Sequence, residues 1–324
     1  MKYRINAVIV LFALIAALLT GCNLNKNSPQ DSVVSDKNYP VTLNGITLNS
    51  APSKVVVLSP SLAEIIVDMG FVSSLAGRAE ECDQPASVAA LPVVGSVLIP
   101  NIDAIYKLKP DLILVQKEPS QIIQNMFSDK KIPFVVIPAA KNYAELLAVY
   151  QTVGKVFVGS ELGLTRGKEQ MTAINAGLEG ISDKVSAVPS ENPINVIYVT
   201  DSLGHAATGD TVLHRLITTT SAINLAGDSK DWSAPAASLS GVEVIFCPQQ
   251  LVDKVKGMPG FSGSPAVKNK RVYGLDASAM ERQSQRMIDA VQEMAEVLYP
   301  DLFKEDITTS STTPTTSTTT PGKI

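Results

Sequence analysis

The stretch Pro92–Val115, PVVGSVLIPNIDAIYKLKPDLILV, decides the fold. Gly95 permits a tight backbone turn before Ser96 and Val97. Ile102–Leu108 reads as a short helix that ends at Lys109-Pro110, because proline disfavours helical geometry in the residue before it. Asp111–Val115 (DLILV) is then an apolar run of strand length. A fully apolar strand directly after a helix is the signature of a parallel sheet covered on both faces.

The same alternation continues on either side. Lys54–Leu58, Pro133–Ile137, Ile194–Val199, Val242–Cys247 and Arg271–Tyr273 read as strands, and Ser61–Met69 and Gln121–Ser128 as helices between them. The strands form one group before residue 140 and another after 190. Between them, Met171, Ile174, Leu178 and Ile181 repeat at three and four residues, the period of an amphipathic helix. Gly154, Gly159, Gly163 and Gly167 argue against an unbroken helix along the whole connector. The expected architecture is α/β: two Rossmann-like lobes with parallel sheets, residues 39–142 and 191–304, joined by one long interlobe helix within 143–190. Ligands of such folds bind at the carboxyl ends of the strands and between lobes.

Composition narrows the function. The 324 residues carry a formal charge of −4, which does not suit a nucleic-acid partner. Only two histidines, His205 and His214, and three cysteines are present, too few for a three-histidine or four-cysteine metal site. No nucleophile elbow, phosphate loop or metal-ligand spacing appears, so no enzymatic role and no cofactor are expected.

The ends read differently from the middle. Residues 1–21 have a basic start, an apolar run from Ile5 to Leu19 and small residues before Cys22, the pattern of a secretory signal. Leu19-Thr20-Gly21-Cys22 resembles the bacterial lipobox, which implies cleavage and lipidation at Cys22 and a chain anchored by lipid on the extracytoplasmic face of the cell membrane. Residues 22–38 read as a flexible tether, and 305–324, rich in Thr, Ser and Pro, as a disordered tail. Cys82 and Cys247 remain; their spacing cannot decide a disulfide, and Cys247 in its strand-like run reads as a buried thiol.

Five segments in order resemble the helical-backbone substrate-binding lipoproteins of ABC importers for cobalamin, ferric siderophores and haem. They are Lys54–Ile65, Gly77–Pro85, the block at Pro92–Val115, Ala207–Leu213 and Glu281–Arg286. The resemblance implies a monomeric binding protein that passes a large chelate or corrinoid to an ABC permease and its ATPase. It also implies that Glu281–Arg286 opens the last helix, with Arg282 reaching the ligand pocket and Arg286 on the same face. Asp103 stands where relatives carry an acid that docks on the permease; at the second lobe Ser238 falls near the acid's place, so that match fails.

The candidate ligand contacts are Ser59, Ser61, Arg78, Glu81, Val97, Trp232, Ser278 and Arg282. Ser61 suits a helix cap and Asp210 a helix N-terminus. Trp232, the only tryptophan, lies in a loop-like context where a planar ring gives apolar contact at low entropic cost. Converging arginines would favour an anionic ferric chelate; Trp232 with apolar walls and one cation would favour a corrinoid, which the resemblance of the loop Gly77–Pro85 to that of cobalamin-binding members also implies. His205, near a pocket loop, could ligate a metal, but a lone loop histidine reads more readily as polar surface. A surface lipoprotein without transport function is the remaining alternative.

Overall fold

The computed structural model describes residues 38–187, 193–233 and 239–304. The signal segment, Cys22, most of the tether, Ser238 and the Thr-rich tail lie outside the described residues.

Two sheets of four parallel strands form the two lobes. The first contains β3 (Val55–Leu58), β4 (Leu75–Arg78), β5 (Leu112–Val115) and β6 (Phe134–Val136) in the order β4-β3-β5-β6. The second contains β7 (Asn195–Tyr198), β8 (Ile223–Asn224), β9 (Val244–Pro248) and β10 (Val272–Leu275) in the order β10-β9-β7-β8. Numbered within each lobe, both sheets run 2-1-3-4, so each has a topological switch between its first and third strands. The central strands β3, β5 and β9 are buried along their whole length, as sheets covered on both faces require. A small antiparallel hairpin, β1 (Val41–Leu43) with β2 (Ile46–Leu48), precedes the first lobe. Its turn residue Asn44 donates to the Val136 carbonyl on the edge strand β6.

The connector contains two helices, Leu146–Val158 and the 27-residue Ser160–Ser186. At 1.5 Å per residue the second is about 40 Å long. Gly159 separates them with φ +81°. The other glycines do not interrupt the helices; they allow them to meet. A Cβ on Gly154 would stand 2.5 Å from the Gly163 carbonyl oxygen, and one on Gly163 2.3 Å from the Lys155 nitrogen. The long helix buries Met171, Ile174, Leu178, Ile181 and Val185, the stripe its sequence period predicts.

Three local expectations change. Ser59, not Ser61, caps the first helix: its Oγ accepts the Leu62 N–H at 3.2 Å, with Pro60 in the first turn. Gly77 and Arg78 belong to β4, so the following loop starts at Ala79. The short helix Ala277–Glu281 ends before Arg282, and the last long helix starts at Met287. A turn with Gln283 at φ +55° therefore separates Arg282 from Arg286, and the two do not share a helix face.

Candidate functional site

Residues from both lobes line a cavity of about 540 Å³. Ala139, Ala140 and Lys141, just after β6, supply one wall. Thr200, Asp201, His205, Val212, Leu213, Asp231, Trp232, Met280, Glu281 and Gln283 supply the rest. The volume lies within the range of about 300–1,000 Å³ common for small-molecule sites. The Gln283 amide closes the base, accepting the Ala140 N–H at 2.9 Å and donating to the Ala140 carbonyl at 2.7 Å.

Trp232 is 41% exposed and faces this space on a backbone that needs support. Asp231 and Trp232 both take positive φ, +56° and +61°, which costs non-glycine residues about 1–3 kcal/mol each. Asp210 and Thr208 hold the turn. Asp210 accepts the Asp231 N–H at 3.1 Å and the Thr208 hydroxyl at 2.6 Å, while Thr208 Oγ1 accepts the Trp232 N–H at 3.1 Å. Asp210 is thus not the cap of the next helix; Thr211 caps it, accepting the His214 N–H at 3.3 Å. Gly209 is required beside it, since a Cβ there would lie 1.8 Å from the Gly227 carbonyl oxygen.

The arginines behave otherwise than their sequence positions suggest. Arg282 pairs with Glu64 at 3.0 Å and Asp83 at 2.7 Å; Arg286 pairs with Glu64 at 3.3 Å and with Asp276. Glu64 is only 2% exposed and also accepts the Ser284 hydroxyl at 2.6 Å. One turn further along the same helix, Asp68 accepts the Gln285 N–H at 2.7 Å. Segment 282–286 of the second lobe is therefore locked onto the first helix of the first lobe. Burial holds the Asp68 carboxyl up at about 6; the Gln285 N–H opposes this, the nearby Glu64 charge adds to it and Arg286 opposes it.

The remaining candidates are spread over the molecule. Arg78 donates to the carbonyls of Ala79, Glu80 and Ala89, and so shapes its own loop. Glu81 accepts the Val97 N–H at 2.9 Å. Ser59 and Val97 line a second cavity of about 310 Å³ at the carboxyl ends of β3 and β5, beside Gln116, Leu98 and Phe127. Ser61 is buried, and Ser278 donates its N–H to Asp276 at 2.8 Å. Ser61, Arg78, Glu81, Ser278 and Arg282 line neither cavity. Cys82 and Cys247 are free and buried; burial pushes their thiols up to about 12 and about 11. Sequence reasoning missed Asp201, Lys141 and Glu281 as cavity residues. Glu281 is anchored by the Tyr198 hydroxyl at 2.9 Å, and burial raises its carboxyl above the usual range.

A family model described as periplasmic binding protein matches residues 55–279, and the chain belongs to that family. It is 26% identical over 306 residues to the ABC transporter substrate-binding lipoprotein YvrC of Bacillus subtilis (strain 168), covering 90% of this chain and 96% of that one. It is 22% identical over 302 residues to the Fe(3+)-citrate-binding protein YfmC of the same organism, covering 86% and 91%. Among solved structures, an iron-binding (periplasmic solute-binding) protein described as possible, from Staphylococcus epidermidis ATCC 12228, superposes with a TM-score of 0.64 at 20% identity, covering 77% of this chain and 100% of that one. The vitamin B12-binding protein BtuF of Vibrio cholerae does so with 0.56 at 19% identity, covering 78% and 98%. Both share the two-lobed α/β fold.

Proposed function

We propose that the chain is an extracytoplasmic solute-binding lipoprotein that delivers cobalamin or a related corrinoid to an ABC importer. The observation that carries the choice of ligand is the charge of the interlobe cavity. Asp201, Asp231 and Glu281 line it against a single lysine, Lys141, and one histidine. Arg282 and Arg286, which an anionic ferric chelate would need, are engaged by Glu64, Asp83 and Asp276. Ferric citrate would meet carboxylates here, and like charges repel. A neutral or cationic macrocycle fringed with amides fits better: its apolar face lies on Trp232, and its amides hydrogen-bond with the carboxylates and the loop backbone.

The names of the relatives support the importer and the lipid anchor at Cys22. Asp103, on the first turn of the helix Ile102–Leu108 with an exposed side chain, suits docking on a permease. A room-sized cleft favours binding over the non-transporting alternative. Haem is the second reading, favoured by His205 in the cavity wall. Titration calorimetry with cyanocobalamin, haemin and ferric citrate tests the assignment. Tight binding of ferric citrate without binding of the corrinoid would overturn it.

A further inference from the structure

We propose, resting on the reading of Cys22 as a lipid anchor, that a lysine-lined groove on the first lobe docks on the anionic headgroups of the membrane that holds the anchor. The partner is a phospholipid leaflet, and the chemistry recognised is its phosphodiester charge. The contact turns the tethered domain to one orientation on that surface.

The groove has a volume of about 540 Å³ and lies at the carboxyl ends of two helices, Ile102–Leu108 and Gln121–Asp129. Lys107, Lys109, Lys130 and Lys131 line it with Tyr106 and Pro110. It stands just ahead of β5 and β6, at the amino ends of the strands, on the opposite edge of the sheet from the second cavity. All four lysines are exposed. Lys107, Lys109 and Lys131 enter no ion pair among the described residues, and Lys130 meets only the exposed Asp103, at 3.8 Å. Asp111 is occupied elsewhere, since its carboxylate accepts the N–H of Ser53 at 2.6 Å and of Lys54 at 3.1 Å. Asp129 is the other exposed acid of this edge.

Cations suit the carboxyl end of any helix, but each end is worth about half a charge, so two ends balance about one lysine of the four. Lys109 and Lys131 take φ of +50° and +55°, where glycine would end either helix without strain. The positive charge exceeds what the helices need. The side chains beside it suit an interface. Lys130 Nζ lies 4.7 Å from the centroid of the half-exposed Tyr106 ring. Met126 and Ile122 stand one and two turns before Lys130 on the same face of its helix, and both are exposed. Such a surface fits the headgroup layer: the ammonium groups reach phosphate, while the ring and the aliphatic chains rest at the apolar boundary.

The anchor makes a weak contact sufficient. Asn38 packs on Gly159 at the end of the helix Leu146–Val158, and Phe157 of that helix stacks on Phe71 at 4.9 Å, just ahead of β4. The chain therefore enters the lobe at the same edge of the sheet as the groove. Extended, the residues from Cys22 to Lys37 span up to about 55 Å. A lobe of about a hundred residues has a radius of gyration of only about 13 Å, so the groove can reach the leaflet. Docking is then an intramolecular step at high effective concentration. The chain as a whole carries −4, so an anionic surface attracts this face and repels the rest.

The test places the full chain, held by its own anchor, in phosphatidylcholine vesicles with and without phosphatidylglycerol. Lysine acetylation by a water-soluble ester is mapped by mass spectrometry, with the exposed Lys254 and Lys268 of the second lobe as references. Phosphatidylglycerol is expected to slow acetylation of the four groove lysines about fivefold, with the references unchanged and the protection lost at high salt. The variant K107Q/K109Q/K131Q keeps the pair of Lys130 with Asp103, and its Lys130 should lose most of the protection. Equal rates in the two kinds of vesicle would overturn the docking and leave the anchor intact. Equal protection of both lobes would also overturn it, because no face would then be preferred. Protection by soluble poly(glycerol phosphate), but not by phosphatidylglycerol, would replace the membrane with an anionic polymer and overturn the proposal. A chain that does not stay with either vesicle would overturn the anchor itself and this proposal with it.

Discussion

The two lobes share one strand order, yet their strand-end loops are used differently. In the first lobe the polar groups are spent on the loops themselves: Ser59 on Leu62 and Gln116, Arg78 on three carbonyls, Glu81 on Val97. In the second lobe the corresponding loops present side chains outward, with Trp232 on a left-handed turn and His205 braced by Asp201. The first lobe also supplies the buried acid that receives two arginines from the second. Identical topology therefore divides into a frame and a presenting surface, because topology sets where the strand ends converge and loop chemistry sets what is offered there.

The sharpest way to break this division is Glu64→Ala. It leaves Arg282 and Arg286 without their shared partner, and a lost buried partner costs about 3–5 kcal/mol. For a chain of this size that lowers Tm by roughly 10 °C, measurable by scanning calorimetry. An unchanged Tm would show that the lobes are not held together here. Trp232→Ala is expected to leave Tm nearly unchanged and to weaken ligand binding at least tenfold, about 1.4 kcal/mol, in titration calorimetry. Equal affinity would remove the indole from the presenting surface. Asp210→Ala should weaken binding by about fivefold, roughly the worth of one hydrogen bond, through the loosened Trp232 turn. Its effect should not add to that of Trp232→Ala, and full additivity in the double variant would reject the coupling.

On the frame side, Asp103→Arg is expected to lower cellular uptake several-fold with ligand affinity unchanged; normal uptake would dismiss the docking role. The smallest effect concerns Asp68. Its folded value of about 6 lies above the unfolded value of about 3.9, so the folded state holds the proton more tightly. Its stabilising contribution is present below pH 4 or so and is lost as pH rises through about 6. Denaturant unfolding of wild type and Asp68→Asn should show the wild type losing stability relative to the variant across that window; parallel pH profiles would exclude it.

The core strands were legible because Val55–Leu58, Leu112–Val115 and Val244–Pro248 are continuous apolar runs. Within the two lobe sheets, two strands have no apolar run that marks them: β4, whose Leu75–Arg78 includes a glycine and an arginine, and β8, only two residues long. Neither has a period to read, and both form through pairing with neighbours fixed elsewhere. Trp232 was legible as a lone aromatic in a loop. Arg282 was misleading, because its acidic partner Glu64 lies 218 residues away and no local spacing announces it.

By itself the sequence determined the alternation of strands and helices, the amphipathic connector and the apolar core, all of which follow from repeats within a few residues along the chain. Only the tertiary structure decided that the arginines are neutralised, that Asp210 supports the tryptophan turn, and that a carboxylate orients the His205 ring. Such pairings depend on which distant segments folding brings within about 3 Å, and electrostatics at that range outweighs any preference a residue expresses in its local sequence.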